Sequence, residues 1–446
     1  MLLQFNMTNA MSFKEEAILD MVAEKDNLHE DNLISFKGDR VLPAVAIYGA
    51  NASGKSNVFM ALASAILFVR TSMNMQVNSS INIMPFLMDN GSRIGKTRFD
   101  FIFTHKGIKY EYGFVTDIHK VYQEYLYEYK SAKASMIFER EDVNKYRYTK
   151  TLRKTLKQYE DKNTDNKLFL ATATAWNCKE TTDSFLWFAE GIDVYNKDSI
   201  EYYMAEALDH DTNDEIRDFA KSFLRAADIN ISDYKFTIRK TESNKISSGK
   251  SFDEDIRKDV KLWDIEMHHD VETDGEKKSL WLPYELESNG TRLLFAYSPV
   301  IYNALKNGKT VVIDEIDNGL HPMLIQHLVE IFNNKESNPN GAQLIFNTHD
   351  VQLLNLDIFR RDQIYFVEKD NRTGASELRV HGLRRVSGRG PPSARDLGRG
   401  RRQRRRGHLG RNDPVDLRDQ PPQLRQPRGR GRLPHLAQAP QKKPII

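Results

Sequence analysis

Cysteine is nearly missing. Cys178 is the single one in 446 residues, which excludes an internal disulfide and any zinc site built on several thiolates. Long apolar runs are missing too: the longest, "VFMALASAILFV" at 58–69, has 12 residues, against roughly 20 for a bilayer-crossing helix. The opening "MLLQFNMTNAMSFKEE" puts no basic stretch ahead of its apolar residues, so it does not read as a secretory leader. No internal repeat is visible, and no heptad run long enough for a large coiled-coil arm. These absences lead us to expect a cytoplasmic globular protein that makes no use of a membrane. The length leaves room for two or three domains.

Negative charge is scarce at one end. From His381 onward there are 16 Arg, 2 Lys and 4 Asp, with no Glu, a balance of +14; the whole chain carries +3, leaving −11 for residues 1–380. The same segment, 381–446, has no aromatic residue and nine of the fifteen prolines, and Lys:Arg switches from 31:16 before it to 2:16 within it. Such a composition cannot bury a core. Two readings stand: a disordered basic arm that attracts phosphates, or sequence foreign to the protein, as out-of-frame reading of GC-rich codons would give.

Residues 1–380 alternate between strand and helix patterns at both ends, with a longer mixed stretch between. "LLQFNMTN" (2–9) alternates like a strand, "AVAIYG" (44–49) reads as a short buried strand, and "SNVFMALASAILFV" as a helix. "RFDFIFTHKGIKYEYGFVTD" reads as a hairpin around "HKG". "DVNKYRYTKTLRKTLKQYEDK" reads as a polar, helical, exposed arm, and residues 199–229 as helices. Strands resume near Trp263, and "KTVVIDEI" and "AQLIFNTHD" end buried strands.

Four clusters carry chemistry. Gly49-Ala-Asn-Ala-Ser-Gly54-Lys55-Ser56 fits G-x-x-x-x-G-K-[ST] between a strand and a helix. Asn51, Ser53 and Asn57 complete the phosphate cradle, whose backbone N–H groups and helix N-terminus suit an anion. Lys55 is expected on the β- and γ-phosphates and Ser56 on Mg²⁺. In "TVVIDEID" (310–317) a buried strand delivers Asp314 to the metal shell and Glu315 to the attacking water. In "LIFNTHD" (344–350) His349 is placed to sense the γ-phosphate. In "ELESNGTRLLFAY" (285–297) Ser288 and Gly290 open an apolar helix, which alone is an N-capping turn.

The order of these clusters, with "LHP" (320–322) after the acidic pair, resembles ABC-type ATPase heads. More closely, "YGANASGKSN", "MPFLMDNGSR", "ESNGTRLLF", "VVIDEIDNGLHP", "NGAQLIFNTHD" and "RRDQIYFVEKD" resemble the abortive-infection and OLD-like AAA ATPases of bacterial phage-defence systems, over about residues 1–380. The resemblance implies an α/β ATPase head with a mixed sheet. An N-terminal lobe (1–90) and a C-terminal lobe (276–380) would be separated by an α+β and helical insert (91–275) for recognition or partner docking. It implies slow hydrolysis of Mg-ATP and a homodimer or larger homo-oligomer in which Ser288 and Gly290 of one subunit close on the nucleotide of another, with Asp317 at the seam. It further implies control of a separate nuclease or toxin effector by a phage-protein trigger in the bacterial cytoplasm. A glutamine coupling nucleotide to insert is expected after the first helix, where Gln76 stands.

Two alternatives remain: a DNA-maintenance ATPase working directly on DNA, and a nucleotide-gated scaffold with incidental turnover. The acidic body opposes broad DNA contact unless "KYRYTKTLRKTLK" (145–157) forms a local basic face. Only 97 residues follow His349, without a clustered carboxylate set, so an effector nuclease is expected on another chain. "MHHD" (267–270) puts its histidines on opposite faces of a strand and reads as solvated polar strand. "VYQEYLYEYK" (121–130) reads as strand packing, and "SFLWFAE" (184–190) as core or an interface, rather than ligand boxes.

Overall fold

In the strand Ala44–Tyr48 every residue is buried: Ala44, Ala46 and Tyr48 face one core and Val45 and Ile47 the other. A period of two with both faces apolar suits a central strand of a sheet covered on both sides. The structure, a computed structural model, describes residues 1–381 apart from 212–213, 228, 242–259 and 274–275. Residues 382–446, the Arg/Pro-rich tail beyond His381, lie outside the described residues.

Ala44–Tyr48 belongs to a six-stranded sheet ordered Ile192–Tyr195, Thr310–Ile313, Gln343–Asn347, Ala44–Tyr48, Ile364–Lys369, Ser376–Val380. The first five are parallel and the last is antiparallel, making the sheet mixed. The helix Lys55–Thr71 packs on one face through Val58, Phe59, Leu62, Ile66 and Val69. The helices Lys197–Asp209, Glu215–Ala226, Asn289–Asn307 and Pro322–Asn333 supply the core of the other. This is the α/β architecture with a mixed sheet expected from the sequence. Among the described residues one helix, Lys55–Asn74, is long and apolar enough to cross a membrane (mean hydropathy 1.3). It is the helix just placed against the sheet.

A second, seven-stranded sheet is antiparallel throughout: Lys145–Tyr148, Ser135–Glu141, Val121–Tyr129, Ile108–Thr116, Thr97–His105, Leu2–Thr8, Ala17–Asp20. The hairpin around "HKG" turns on Lys106 and Gly107, both at positive φ (47° and 73°), as a two-residue turn of matching twist requires. Phe99, Phe101 and Phe103 alternate inward; Phe101 and Phe103 meet Trp187 and Phe188, and Phe99 packs on Phe114, the core role read for "SFLWFAE". Glu124 and Arg140 sit fully buried in this sheet, 3.6 Å apart. The carboxylate also accepts from Phe169 N, Leu170 N and the Tyr112 hydroxyl.

Two expectations change here. Residues 91–275 do not stand apart from the lobes. Thr97–His105 hydrogen-bonds to Leu2–Thr8, and Ile192–Tyr195 is an edge strand of the six-stranded sheet. The alternation was visible in the sequence, but a strand's partner is non-local and leaves no local signature. Nor is 142–162 a polar helical arm throughout: the helical reading holds at Arg153–Lys157 and fails before it. Lys145–Tyr148 is a strand, Tyr146 and Tyr148 pack on Phe169, and Leu156 is buried.

Candidate nucleotide-binding site

The phosphate loop leaves the strand at Tyr48 and enters the helix Lys55–Thr71 at Gly54. Its two glycines have steric reasons. A Cβ on Gly49 would lie 2.5 Å from Val367 O and 2.6 Å from Ser53 Oγ. Gly54 has φ +108°, and a Cβ there would lie 2.5 Å from Ser376 Oγ and 2.6 Å from Ser12 Oγ. Those hydroxyls form a clasp: Ser376 Oγ bonds Ser53 O at 2.6 Å and Ser12 Oγ at 2.8 Å. Asn51 is exposed, and Asn57 N–H donates to Gly54 O. Lys55, buried, donates to Gly49 O at 2.8 Å and Ala50 O at 3.2 Å, and its Nζ stands 3.3 Å from His349 Nδ1. Burial holds the Lys55 ammonium below its ordinary pKa, and the charges of Asp317, Glu315 and Asp314 oppose that drop.

Asp314 follows the strand Thr310–Ile313. Burial raises its pKa, while hydrogen bonds from Asn347 and Ser56 act the other way. The Ser56 contact joins the two residues expected to share a metal. Asn347, fully buried, donates to Asp314 Oδ1 and accepts from Glu315 N–H, both at 2.5 Å. Glu315 has φ +53°, the left-handed region where a side chain is uncommon. Asp317 Oδ2 accepts from His349 N–H at 2.8 Å, tying the acidic loop to the switch loop.

Ser288 caps the helix Asn289–Asn307, accepting from Thr291 N at 3.1 Å. A Cβ on Gly290 would meet Gly319 O at 3.0 Å. Ser288 and Gly290 therefore lie beside the Asp317–Gly319 loop; the structure does not bring them onto residues 49–57 of the same chain. Gln76 is corrected. It follows the far end of the helix from Lys55 to Asn74, roughly 30 Å from the phosphate loop at 1.5 Å per residue. Its carbonyl accepts from Asn166 Nδ2 and from the Ser79 hydroxyl and N–H. Adjacent histidines His268 and His269 bond Ser232 and Glu287 respectively, and no metal-holding group of His, Cys, Asp and Glu occurs among the described residues. Sequence reasoning missed Asn347, Ser12 and Ser376. An asparagine ending the apolar run "LIF" was the available signal for the first; the two serines gave none.

A family profile described as "AAA domain, putative AbiEii toxin, Type IV TA system" matches residues 44–355. The chain belongs to that family. The match within this AAA family spans both halves of the site, from the phosphate-loop strand past His349. No protein of curated function matches the chain. Similar solved structures include the SMC head domain from Thermotoga maritima, at 12% identity over 86% of this chain and 99% of that one, TM-score 0.39. An SmcHead bound to the C-winged helix domain of ScpA has 12% identity over 86% and 98%, TM-score 0.43. An Smc head with an extended coiled coil, bound to a ScpA C-terminal domain from Pyrococcus furiosus, has 13% identity over 84% and 95%, TM-score 0.34.

The residues present fit a nucleotide and its magnesium. The loop offers a cradle that a Cβ at Gly49 or Gly54 would fill. Ser53 Oγ is buried without a hydrogen-bond partner. Ser56 and Asp314 are oxygen donors already in contact, the ligand type that Mg²⁺ takes.

Proposed function

We propose that this AAA-family protein binds and slowly hydrolyses Mg-ATP, closes as a homodimer around it, and thereby governs a separate nuclease or toxin effector in an abortive-infection system. The observation that carries the ATPase part is the meeting of Lys55 Nζ with His349 Nδ1 at 3.3 Å, 294 residues apart in sequence, beside Asp314 and Glu315. Phosphate-loop lysine, acidic pair and switch histidine share one place.

Each residue then has a task. The Gly49–Ser56 backbone and Lys55 would bind the phosphates, Lys55 exchanging its carbonyl partners for phosphate oxygens. Ser56 and Asp314 would hold Mg²⁺, which when bound neutralises charge on the phosphates. Glu315 would orient and deprotonate the attacking water. His349, hung on Asp317, would contact the γ-phosphate and register its loss. Ser288 and Gly290 stand beside Asp317–Gly319, so a second copy would supply its own pair to the first copy's nucleotide, with Asp317 near the seam. ATP bound between copies would favour the closed state by linkage. The family's description as a putative AbiEii toxin of a type IV TA system supports a defence setting; to it we add the separate effector and a phage-protein trigger.

Glu315→Gln tests it. Light scattering with Mg-ATP should show a persistent dimer, phosphate release should fall by ~100-fold or more, and phage restriction in cells carrying the neighbouring genes should change. Wild-type restriction by that variant would sink the sensor role, and absence of ATP binding by the native protein would sink the whole reading.

A further inference from the structure

We infer that Asn347 is the positioning residue that fixes Glu315 for its reaction, an inference that rests on the ATPase reading above. Its carboxamide spans two neighbours: Nδ2 donates to Asp314 Oδ1 and Oδ1 accepts from Glu315 N–H. Its own carbonyl accepts from Ile316 N at 3.3 Å. One side chain and one carbonyl thus fasten three successive residues of the acidic loop to the end of the strand Gln343–Asn347.

The fastening has a conformational purpose. Ile313 ends an extended strand, and two residues later Glu315 is at φ +53°. A non-glycine residue persists there only where its surroundings over-determine it. Asn347 is fully buried and both ends of its amide are engaged, so it cannot swing to water without leaving Glu315 N–H and Asp314 Oδ1 without it. At the chain's next step, Asp317 takes His349 N–H at 2.8 Å, and Asn318 Nδ2 approaches Glu315 Oε2 at 3.4 Å. The acidic and switch loops are therefore stitched at both ends, and Asn347 is the stitch that turns the Glu315 carboxylate. It touches neither phosphate nor water in this role.

The test is Asn347→Leu, which keeps the branching at Cγ and the number of side-chain heavy atoms, is somewhat bulkier and cannot hydrogen-bond. A crystal structure of that variant should show Glu315 outside the positive-φ region. Its ATP affinity by calorimetry without Mg²⁺, a readout that leaves Asp314 out, should stay within about threefold of native, because Lys55 and the loop are untouched. Its kcat should fall by roughly 100-fold, as for a misplaced catalytic group. Asn347→Asp keeps the acceptor for Glu315 N–H; Glu315 should stay at positive φ in it and keep more of kcat. Glu315 still at positive φ in Asn347→Leu, a kcat within about threefold of native, or losses of affinity and kcat in step would each overturn the proposal. The crystallographic arm stands even if the native protein shows no turnover, a result that would overturn the ATPase reading instead.

Discussion

Replacing Gly54 with alanine should cost nucleotide affinity through two separable effects. The first is backbone: φ is +108°, and a left-handed conformation costs an L-residue ~1–2 kcal/mol. The second is steric. The new Cβ would stand 2.5 Å from Ser376 Oγ and 2.6 Å from Ser12 Oγ, with Ser376 Cβ at 3.2 Å. These atoms cannot simply rotate away, since Ser376 Oγ is held by Ser53 O and Ser12 Oγ and Ser376 N–H by Ser12 O. Overpacking of that kind costs ~1–3 kcal/mol. If the loop must distort, the total of ~2–5 kcal/mol weakens ATP binding by roughly 30- to 4000-fold. The double change Ser12→Ala and Ser376→Ala removes both hydroxyls and serves as a second background. There, adding Gly54→Ala should cost only the backbone part plus the residual Ser376 Cβ contact. Calorimetric ATP titration of the four proteins gives both terms. Native-like affinity in Gly54→Ala, or an equal cost in both backgrounds, would refute the reasoning.

Two further outcomes are expected. Burial lifts Asp20 from 3.8 to about 6, so between pH 4 and 6 the folded chain keeps a proton that the unfolded chain releases, and stability falls as pH rises. Asp20→Asn retains the acceptor for Val22 N–H. It should raise stability above pH 6 by at most ~3 kcal/mol, with the gain gone below pH ~4; denaturant melts that show a pH-independent gain would contradict this. Arg140→Leu strips the buried Glu124 of its counter-charge and abandons the bond to Lys167 O. It should destabilise by ~3–5 kcal/mol, appreciably more than Arg140→Leu combined with Glu124→Gln; equal losses in urea melts would contradict the ion-pair account.

How much was legible varies element by element. The strand Ala44–Tyr48, the helix after it, the hairpin around Lys106-Gly107 and the strands ending at Ile313 and Asn347 were readable. Each carries its own periodicity and turn chemistry within a few residues. Lys55, Ser56, Asp314, Glu315 and His349 were readable as types at strand ends, and the fold brings Lys55 to His349 and Ser56 to Asp314. The pairing of Thr97–His105 with Leu2–Thr8 was not readable, because hydrogen-bonding edges are alike from strand to strand. Gln76 was read as a coupling residue from its place after the first helix, and that helix, Lys55–Asn74, carries it away from the loop.

The sequence by itself therefore determined the chemical inventory: glycines where the chain must pass close to other atoms, a lysine and a serine at a helix start, carboxylates and a histidine after buried strands. Those are local requirements, met by neighbours along the chain. Tertiary structure alone decided which of them meet. The parallel register of Thr310–Ile313 with Gln343–Asn347 sets Asn347 beside Asp314 and Glu315, and the closing of Ser376–Val380 onto the sheet sets Ser376 beneath the phosphate loop. The physical reason is that hydrogen bonds between distant segments depend on register, and register is fixed by the packing of whole faces rather than by any residue in the stretch itself.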